Sequence, residues 1–253
     1  MIRISEVNRL PAVGVFITII AFLLISCGTE SNDIDETDGF RDGILNEIWE
    51  LLDEGMISSL ENDLGMPIHR GANPPDFSAF FDEEMRGDGV TFEMAPHLLH
   101  RSTVESDQGN NEPGTPWAPR AFRFSNQNLQ NYTINFATRA SQTDDNTVAA
   151  NGSYIIGFDN HFTMFAFLEN VRGEGVVKSL RMFSGILTDQ GVSEPYTSTF
   201  MIDNSGIRGV IPNGTGRSFV DGDDFAEIIP WPEGNSMSIE NQVYTDLENE
   251  IYK

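Results

Sequence analysis

The segment His161 to Glu169 (HFTMFAFLE) sets the hardest constraint on how this chain can fold. As a strand it places Phe162, Met164, Ala166 and Leu168 on one face and Thr163, Phe165 and Phe167 on the other, because successive side chains alternate. Both faces then carry large apolar groups. A strand in a sheet with one solvated face cannot have this pattern, so the segment must be covered twice. It needs a packed interior on one side and a second layer on the other, for which helices from the N-terminal part of the chain are the candidates.

The neighbouring sequence has the same character. From Asn73-Pro74-Pro75 onward, short runs of β-branched and aromatic residues are divided by Gly, Asn, Asp and Pro. The predicted strands are Phe77 to Phe81, Val90 to Met94, Ala121 to Ser125, Asn131 to Thr138, Gly152 to Gly157, His161 to Glu169, Val176 to Leu187, Pro195 to Asp203 and Gly216 to Val220. Asn131 to Thr138 alternates, with Tyr132, Ile134 and Phe136 on one face and Thr133 and Asn135 on the wet face. Phe158-Asp159-Asn160-His161 fits a tight hairpin because Asp and Asn tolerate positive φ, and Asp189-Gln190-Gly191 makes another short connection. Short successive connections make neighbours antiparallel, and so many strands left flat would expose edges. The expected fold is mostly β: an antiparallel up-and-down sheet closed as a lipocalin-like barrel or folded as a sandwich, with short helices packed on it. Asp107 to Pro116 and Ser141 to Asn146 read as surface loops.

Ahead of the β domain (73–230), residues 42–65 repeat apolar side chains at three- and four-residue intervals: Ile44, Ile48 and Leu52, then Met56, Ile57, Leu60 and Leu64 after Gly55. Gly65-Met66-Pro67 stops the pattern, since Gly takes a left-handed C-terminal position and Pro cannot extend a helix. Helices this short need tertiary packing, so they predict a cover for the domain's own core. Residues 231–253 read as a C-terminal tail.

Arg3 and Arg9 precede the apolar run Val13 to Ile25, which is the pattern of a signal peptide over residues 1–26. Even Ala12 to Ser26 makes only about 22 Å of helix, short of a bilayer core of roughly 30 Å. Leu24-Ile25-Ser26 followed by Cys27, the one cysteine of the chain, resembles the lipobox of bacterial lipoproteins. That resemblance implies cleavage before Cys27, diacylation of its thiol and acylation of its new amino group. Several acyl chains hold a protein on a membrane durably where one does not.

Residues 27–41 read as an acidic tether. Gly28 differs from the Asp that resembles an inner-membrane retention signal, so the outer membrane is the expected address. The acidic stretch after the cysteine is similar to the surface-export signal of Bacteroidetes-type lipoproteins.

The chain holds 15 basic and 39 acidic residues, a net charge of −24. Cleavage would remove Arg3, Arg9 and Glu6 and leave the exported body near −25, repelled by anionic lipid and by nucleic acid. A lone cysteine allows neither an internal disulfide nor a Cys-rich zinc site.

Gly65-Met66-Pro67-Ile68-His69-Arg70-Gly71 running into Asn73-Pro74-Pro75 resembles the opening motif of a group of uncharacterised Bacteroidetes-type lipoproteins. Phe124-Ser125-Asn126-Gln127, Asn160-His161-Phe162-Thr163, Ser184-Gly185 and the run from Gly214 to Asp223 (GTGRSFVDGD) are similar to further elements of that group, in the same order. The likeness covers about Leu60 to Glu227 and departs at Asp76 to Phe80 and at Asp224. It implies a lipid-anchored envelope location and brings no established activity, cofactor or catalytic residue.

His97-Leu98-Leu99-His100 lacks the Glu of a zinc-binding His-Glu-x-x-His helix, and Pro96 argues against a helix there. Asp221, Asp223, Asp224 and Glu227 are acidic enough to suggest Ca²⁺, but Phe225, Ala226 and Pro232 occupy positions where an EF-hand loop needs a ligand, Gly and Glu. A calcium site of another kind, built from these four carboxylates, stays open, and an acidic turn held by Arg217 is the competing reading. No nucleophile elbow, phosphate loop or dinucleotide fingerprint occurs, and no cofactor is implied.

Two function classes follow. One is a non-catalytic binding module for a small molecule or an envelope partner, with some of Tyr132, Phe136, Phe162, Met164, Phe183, Tyr196 and Phe200 lining a pocket. The other is a structural or interaction scaffold in which those residues fill a core. An enzyme would instead need buried carboxylates or histidines converging in a cleft.

Overall fold

The computed structural model describes residues 39–81, 89–140, 148–172 and 175–232. The chain enters through a small hairpin, β1 (Phe40–Arg41) and β2 (Ile44–Leu45), followed by α1 (Asn46–Leu51) and α2 (Glu54–Ser58), which runs on into a wide turn at Ser59–Asp63. The strands β3 (Gly89–Met94), β4 (His97–Ser102), β5 (Pro116–Trp117), β6 (Arg120–Asn128) and β7 (Thr133–Ala140) come next. The remainder are β8 (Val148–Phe158), β9 (His161–Arg172), β10 (Gly175–Thr188), β11 (Gly191–Asp203), β12 (Gly216–Asp221) and β13 (Phe225–Ile228).

These strands ring round as a barrel, with antiparallel pairing throughout. From β6 to β11 each strand pairs with the next in sequence. Three chain segments, the one that contains β6 among them, are each broken by a kink. β3 and β4 are halves of one, β5 and β6 of the second, and β12 and β13 of the third. The register continues across the breaks: Met94 faces Arg120 and His97 faces Trp117, while β11 pairs with β13 through Gly191–Ser193 and with β12 through Tyr196–Phe200. The ring closes where β13 meets β3 and β12 meets β4. Among the described residues, eight chain segments thus close an up-and-down ring, the barrel side of the barrel-or-sandwich expectation.

One side of the wall faces the barrel interior, where Phe92, Phe122, Phe124, Ile134, Phe136, Ile155, Phe162, Met164 and Phe183 pack together. The other side carries Ile156, Phe165, Leu180, Met182 and Phe200 under Ile48, Leu52, Ile57, Leu60 and Leu64 of the N-terminal layer. β9 is covered twice, as its pattern requires: Phe162 and Met164 point in and Phe165 points out, all fully buried.

Several local expectations need correction. Phe77 to Phe81 is not a strand. Phe77 is a plug in one end of the barrel, with Phe162 edge-on at 4.9 Å, and a 3-10 turn, Ser78–Phe80, follows it. The Gln127 side chain holds this plug, accepting from the Phe77 N–H at 2.7 Å and donating to the Pro75 carbonyl at 2.9 Å.

Tyr132 does not share a face with Ile134 and Phe136. Its φ of +53° breaks the alternation before β7 begins and puts the ring edge-on against Phe40 at 4.9 Å. The two helices part at Asp53, whose carboxylate caps Met56 N–H at 2.8 Å, and Gly55 lies inside α2. Phe40 and Arg41, read as the end of the tether, belong to β1, and Phe40 is buried. Asp107 is not in a surface loop but is buried. Trp231 and Pro232, read as tail, lie on the wall: Arg123 and Arg139 each sit 5.9 Å from the Trp231 ring. The rest of that tail lies outside the described residues.

The Gly65–Gly71 motif forms a strap across the outer face. Thr163 Oγ1 accepts the His69 N–H at 2.8 Å, and Gly157 N–H donates to the Gly71 carbonyl at 3.0 Å. A Cβ on Gly71 would come within 2.5 Å of the Gly157 carbonyl oxygen, so this close crossing requires glycine.

The interior packing carries a direct test. Phe136→Ala removes a fully enclosed aromatic ring and is expected to cost about 3 to 5 kcal/mol in equilibrium urea unfolding. An unchanged midpoint would place that side chain outside the core.

Candidate functional site

The sequence-derived pocket residues divide between the two faces of the wall. Phe136, Phe162, Met164 and Phe183 are packed in the interior, with Phe122 and Phe183 centroids 4.9 Å apart. Tyr132, Tyr196 and Phe200 lie on the outer face among the helical residues, with Tyr196 edge-on to His100 at 5.4 Å. The seven therefore do not line one pocket. A register shift between Ser184 and Ile186, opposite Ser193 and Tyr196, sets the outward orientation of Tyr196 and Phe200.

Along the barrel the interior changes chemistry. Continuing the inward-facing alternation of each strand beyond the phenylalanines gives Thr138 after Phe136 on β7, Asn170 after Ala166 and Leu168 on β9, and Arg181 and Ser179 before Phe183 on β10. Arg120 precedes Phe122 on β6. Thr199 pairs in register with Arg181 on one side and Arg217 on the other, which puts these three on one face of adjacent strands. All of these polar residues are buried, between 0% and 7% exposed. One half of the barrel is filled with aromatic rings, and the other is lined by guanidinium, hydroxyl and amide groups. Val104, Val177, Met201 and Ile211 form a small apolar cluster at the polar end.

The charges in this half are engaged. Arg217 donates to Asp107 through Nε at 2.6 Å and through a terminal nitrogen at 2.8 Å, in a bidentate pair whose side chains are 5% and 3% exposed. Asp107 also accepts from Ser102 and Asn111. Burial pushes the Asp107 carboxyl up, but the hydrogen bonds from Arg217 and Ser102 and the Arg217 charge outweigh it and hold it below the usual carboxylate range. Arg217 also lies 5.2 Å from the Trp117 ring, and Arg181 donates to Thr199. Arg217 is thus bound to Asp107 and not to the acidic turn after β12.

Asp221 joins the kinks of two broken strands. Its carboxylate accepts the Ala95 N–H at 3.0 Å and the Asp223 N–H at 3.1 Å, and Gly222 N–H donates to the Pro96 carbonyl at 2.9 Å. Burial, with the nearby Asp223 charge, raises its pKa to about 7 against those backbone donors. Asp224 takes φ +63° and its carbonyl accepts the Glu194 N–H, while Glu227 sits opposite Glu93 in the ladder. Asp221, Asp223 and Asp224 therefore serve a bend and Glu227 belongs to the ladder, and among the described residues no three metal-ligating groups converge. His97 and His100 alternate on β4: His97 stacks on Phe219 at 4.5 Å, whereas His100 meets Tyr196 on the outer side. Leu24, Ile25, Ser26 and Cys27 lie outside the described residues.

Open hollows on the outer surface include two among the described residues. One, of about 650 Å³, lies at the plugged end between Asn73–Asp76, Leu129, Asp159–Asn160 and Ile186–Asp189. The other, of about 270 Å³, is bounded by Arg41, Trp49, Glu61 and Arg70, where Arg70 bridges Glu61 and Asp42. Beside the strap, His69 and His161 ring centroids are 5.1 Å apart. Burial and the His161 charge hold His69 down at about 4, so it is neutral near pH 7.

The sequence reading missed the polar half of the interior. Arg181, Ser179, Thr138 and Asn170 sit at inward positions of predicted or extended strands, so their parity was the available signal. The chain matches no family model, no curated protein and no solved structure. Among the described residues, no helix is long and apolar enough to cross a membrane.

Two predictions follow from these groups. Asp107→Asn should cost about 3 to 5 kcal/mol by leaving the Arg217 charge buried without its partner, whereas Asp107→Leu combined with Arg217→Met should recover much of that loss in urea unfolding. Equal losses in the single and double variants would contradict a buried pair. Asp221 binds its proton more tightly folded than unfolded, so its contribution to stability is full below about pH 4 and disappears as pH rises through about 7. Relative to Asp221→Asn, the wild-type protein should lose unfolding free energy between pH 5 and 8; parallel pH profiles would refute the raised pKa.

Proposed function

We propose that this chain is a lipid-anchored protein of the cell envelope, tethered through acyl groups on Cys27. Its barrel is a non-catalytic binding module whose ligand enters at the polar end. The observation that carries this reading is the divided interior: barrel cores of this width are normally filled, and here half of the lining is polar and buried. A structure built only as a scaffold gains nothing from buried hydroxyl and amide groups that have no hydrogen-bond partner among the described residues.

The location rests on the Leu24-Ile25-Ser26-Cys27 lipobox and on the resemblance to uncharacterised Bacteroidetes-type lipoproteins. The outer membrane is the favoured address because Gly28 is not the retention-type Asp, and the acidic stretch that follows supports display at the surface. With so acidic a body, acyl chains and not surface charge provide the membrane affinity. The aromatic filling of the other half favours a second reading, an envelope scaffold that docks a partner through its outer face.

The anchor is tested by Cys27→Ala in the native host. Membrane fractions should lose the protein, or its leader should remain uncleaved, and labelling by a fatty-acid analogue should vanish. A variant still membrane-bound and still labelled would overturn the lipoprotein assignment.

A further inference from the structure

Thr138 Oγ1, Ser179 Oγ and Asn170 Oδ1 are buried with no hydrogen-bond partner among the described residues, and these residues are 0%, 0% and 1% exposed. All three occupy inward positions in the same half of the barrel as Arg120, Arg181 and Arg217. Native interiors rarely leave such groups unmatched, and orphans that cluster point to a missing ligand or water. The chemistry of the surroundings selects between ligand classes. Three guanidinium groups share this interior in a protein whose overall charge is −24, so the lining runs against the composition of the molecule. A guanidinium carries five N–H donors in a fork suited to paired oxygens, so one already bonded to the protein can serve a second acceptor.

We propose that the polar half of the barrel binds a compact anion bearing a carboxylate or phosphate group. Arg181 and Arg217 supply charge-assisted hydrogen bonds, the Thr138 and Ser179 hydroxyls donate to the same oxygens, and Asn170 receives the ligand's neighbouring donor or turns its amide nitrogen toward it. This rests on the binding-module reading and names the ligand class of that site.

The test uses the full chain purified in a non-ionic detergent. Inorganic phosphate and succinate are titrated at constant ionic strength against chloride, followed by calorimetry and by tryptophan fluorescence, since Trp117 lies against Arg217. A saturable response to either probe and not to chloride is expected; phosphate and succinate in separate arms distinguish the two anion sources. Ser179→Ala should weaken binding about tenfold, the size of one hydrogen bond to a charged group, and leave the unliganded melting temperature unchanged or higher because it removes an unsatisfied hydroxyl. Arg181→Gln should weaken it further.

No saturable response, or one of equal strength in the folded Ser179→Ala and Arg181→Gln proteins, overturns the proposal. Native mass spectrometry of protein extracted from its own membrane separates the two levels. A neutral co-purifying small molecule without an anion response sinks the anion class alone, while neither ligand nor response sinks the binding module as well.

Discussion

An eight-segment antiparallel ring encloses a space only as wide as the side chains that fill it, and this limit governs the rest of the molecule. Phenylalanines from β3, β6, β7, β9 and β10 meet across the interior, and Phe77 closes one end from outside the ladder. Once those rings occupy one half, the polar inward positions are confined to the other. The helical layer is set by the same wall: β9 and β10 turn Phe165, Leu180 and Met182 outward, and the short helices exist because they bury that surface.

Ring closure depends on bending. A segment that joins the ladder over its full length must follow the curvature of the barrel, and three do so by breaking at Ala95–Pro96, Ala118–Pro119 and Gly222–Asp224. The buried Asp221 carboxylate ties the first and third of these breaks together through backbone N–H groups. An acidic cluster that looks like a metal site in sequence is thereby used as the fastening of a bend. The motif residues Gly71 and Gln127 have the same character: they fix a strap and a plug on the barrel, a role in architecture and not in chemistry.

Much of the fold was legible because period-two alternation is strong in β7, β9 and β10, and because Asp159-Asn160 and Asp189-Gln190 mark hairpins by composition alone. The doubly apolar β9 even foretold a second layer. What escaped was long-range. Phe77 reads as strand by propensity and becomes a plug through a contact with Gln127, 50 residues away. Asp107 reads as loop and is buried by Arg217, 110 residues away. Tyr132 and Tyr196 follow alternation until a positive φ or a register shift turns them outward. The polar interior was hidden because inward arginines look like solvated ones until strand parity is anchored by the aromatic core.

The division of the interior into an aromatic half and a polar half is the claim on which the functional reading rests. Water-to-protein nuclear Overhauser spectroscopy on the labelled protein tests it most directly, since buried water or exchangeable ligand sites give cross-peaks and dry apolar packing does not. The expected result is long-lived contacts at Thr138, Asn170 and Ser179 and none at Phe136, Met164 or Phe183. Contacts running evenly along the barrel, or absent from both halves, would contradict it.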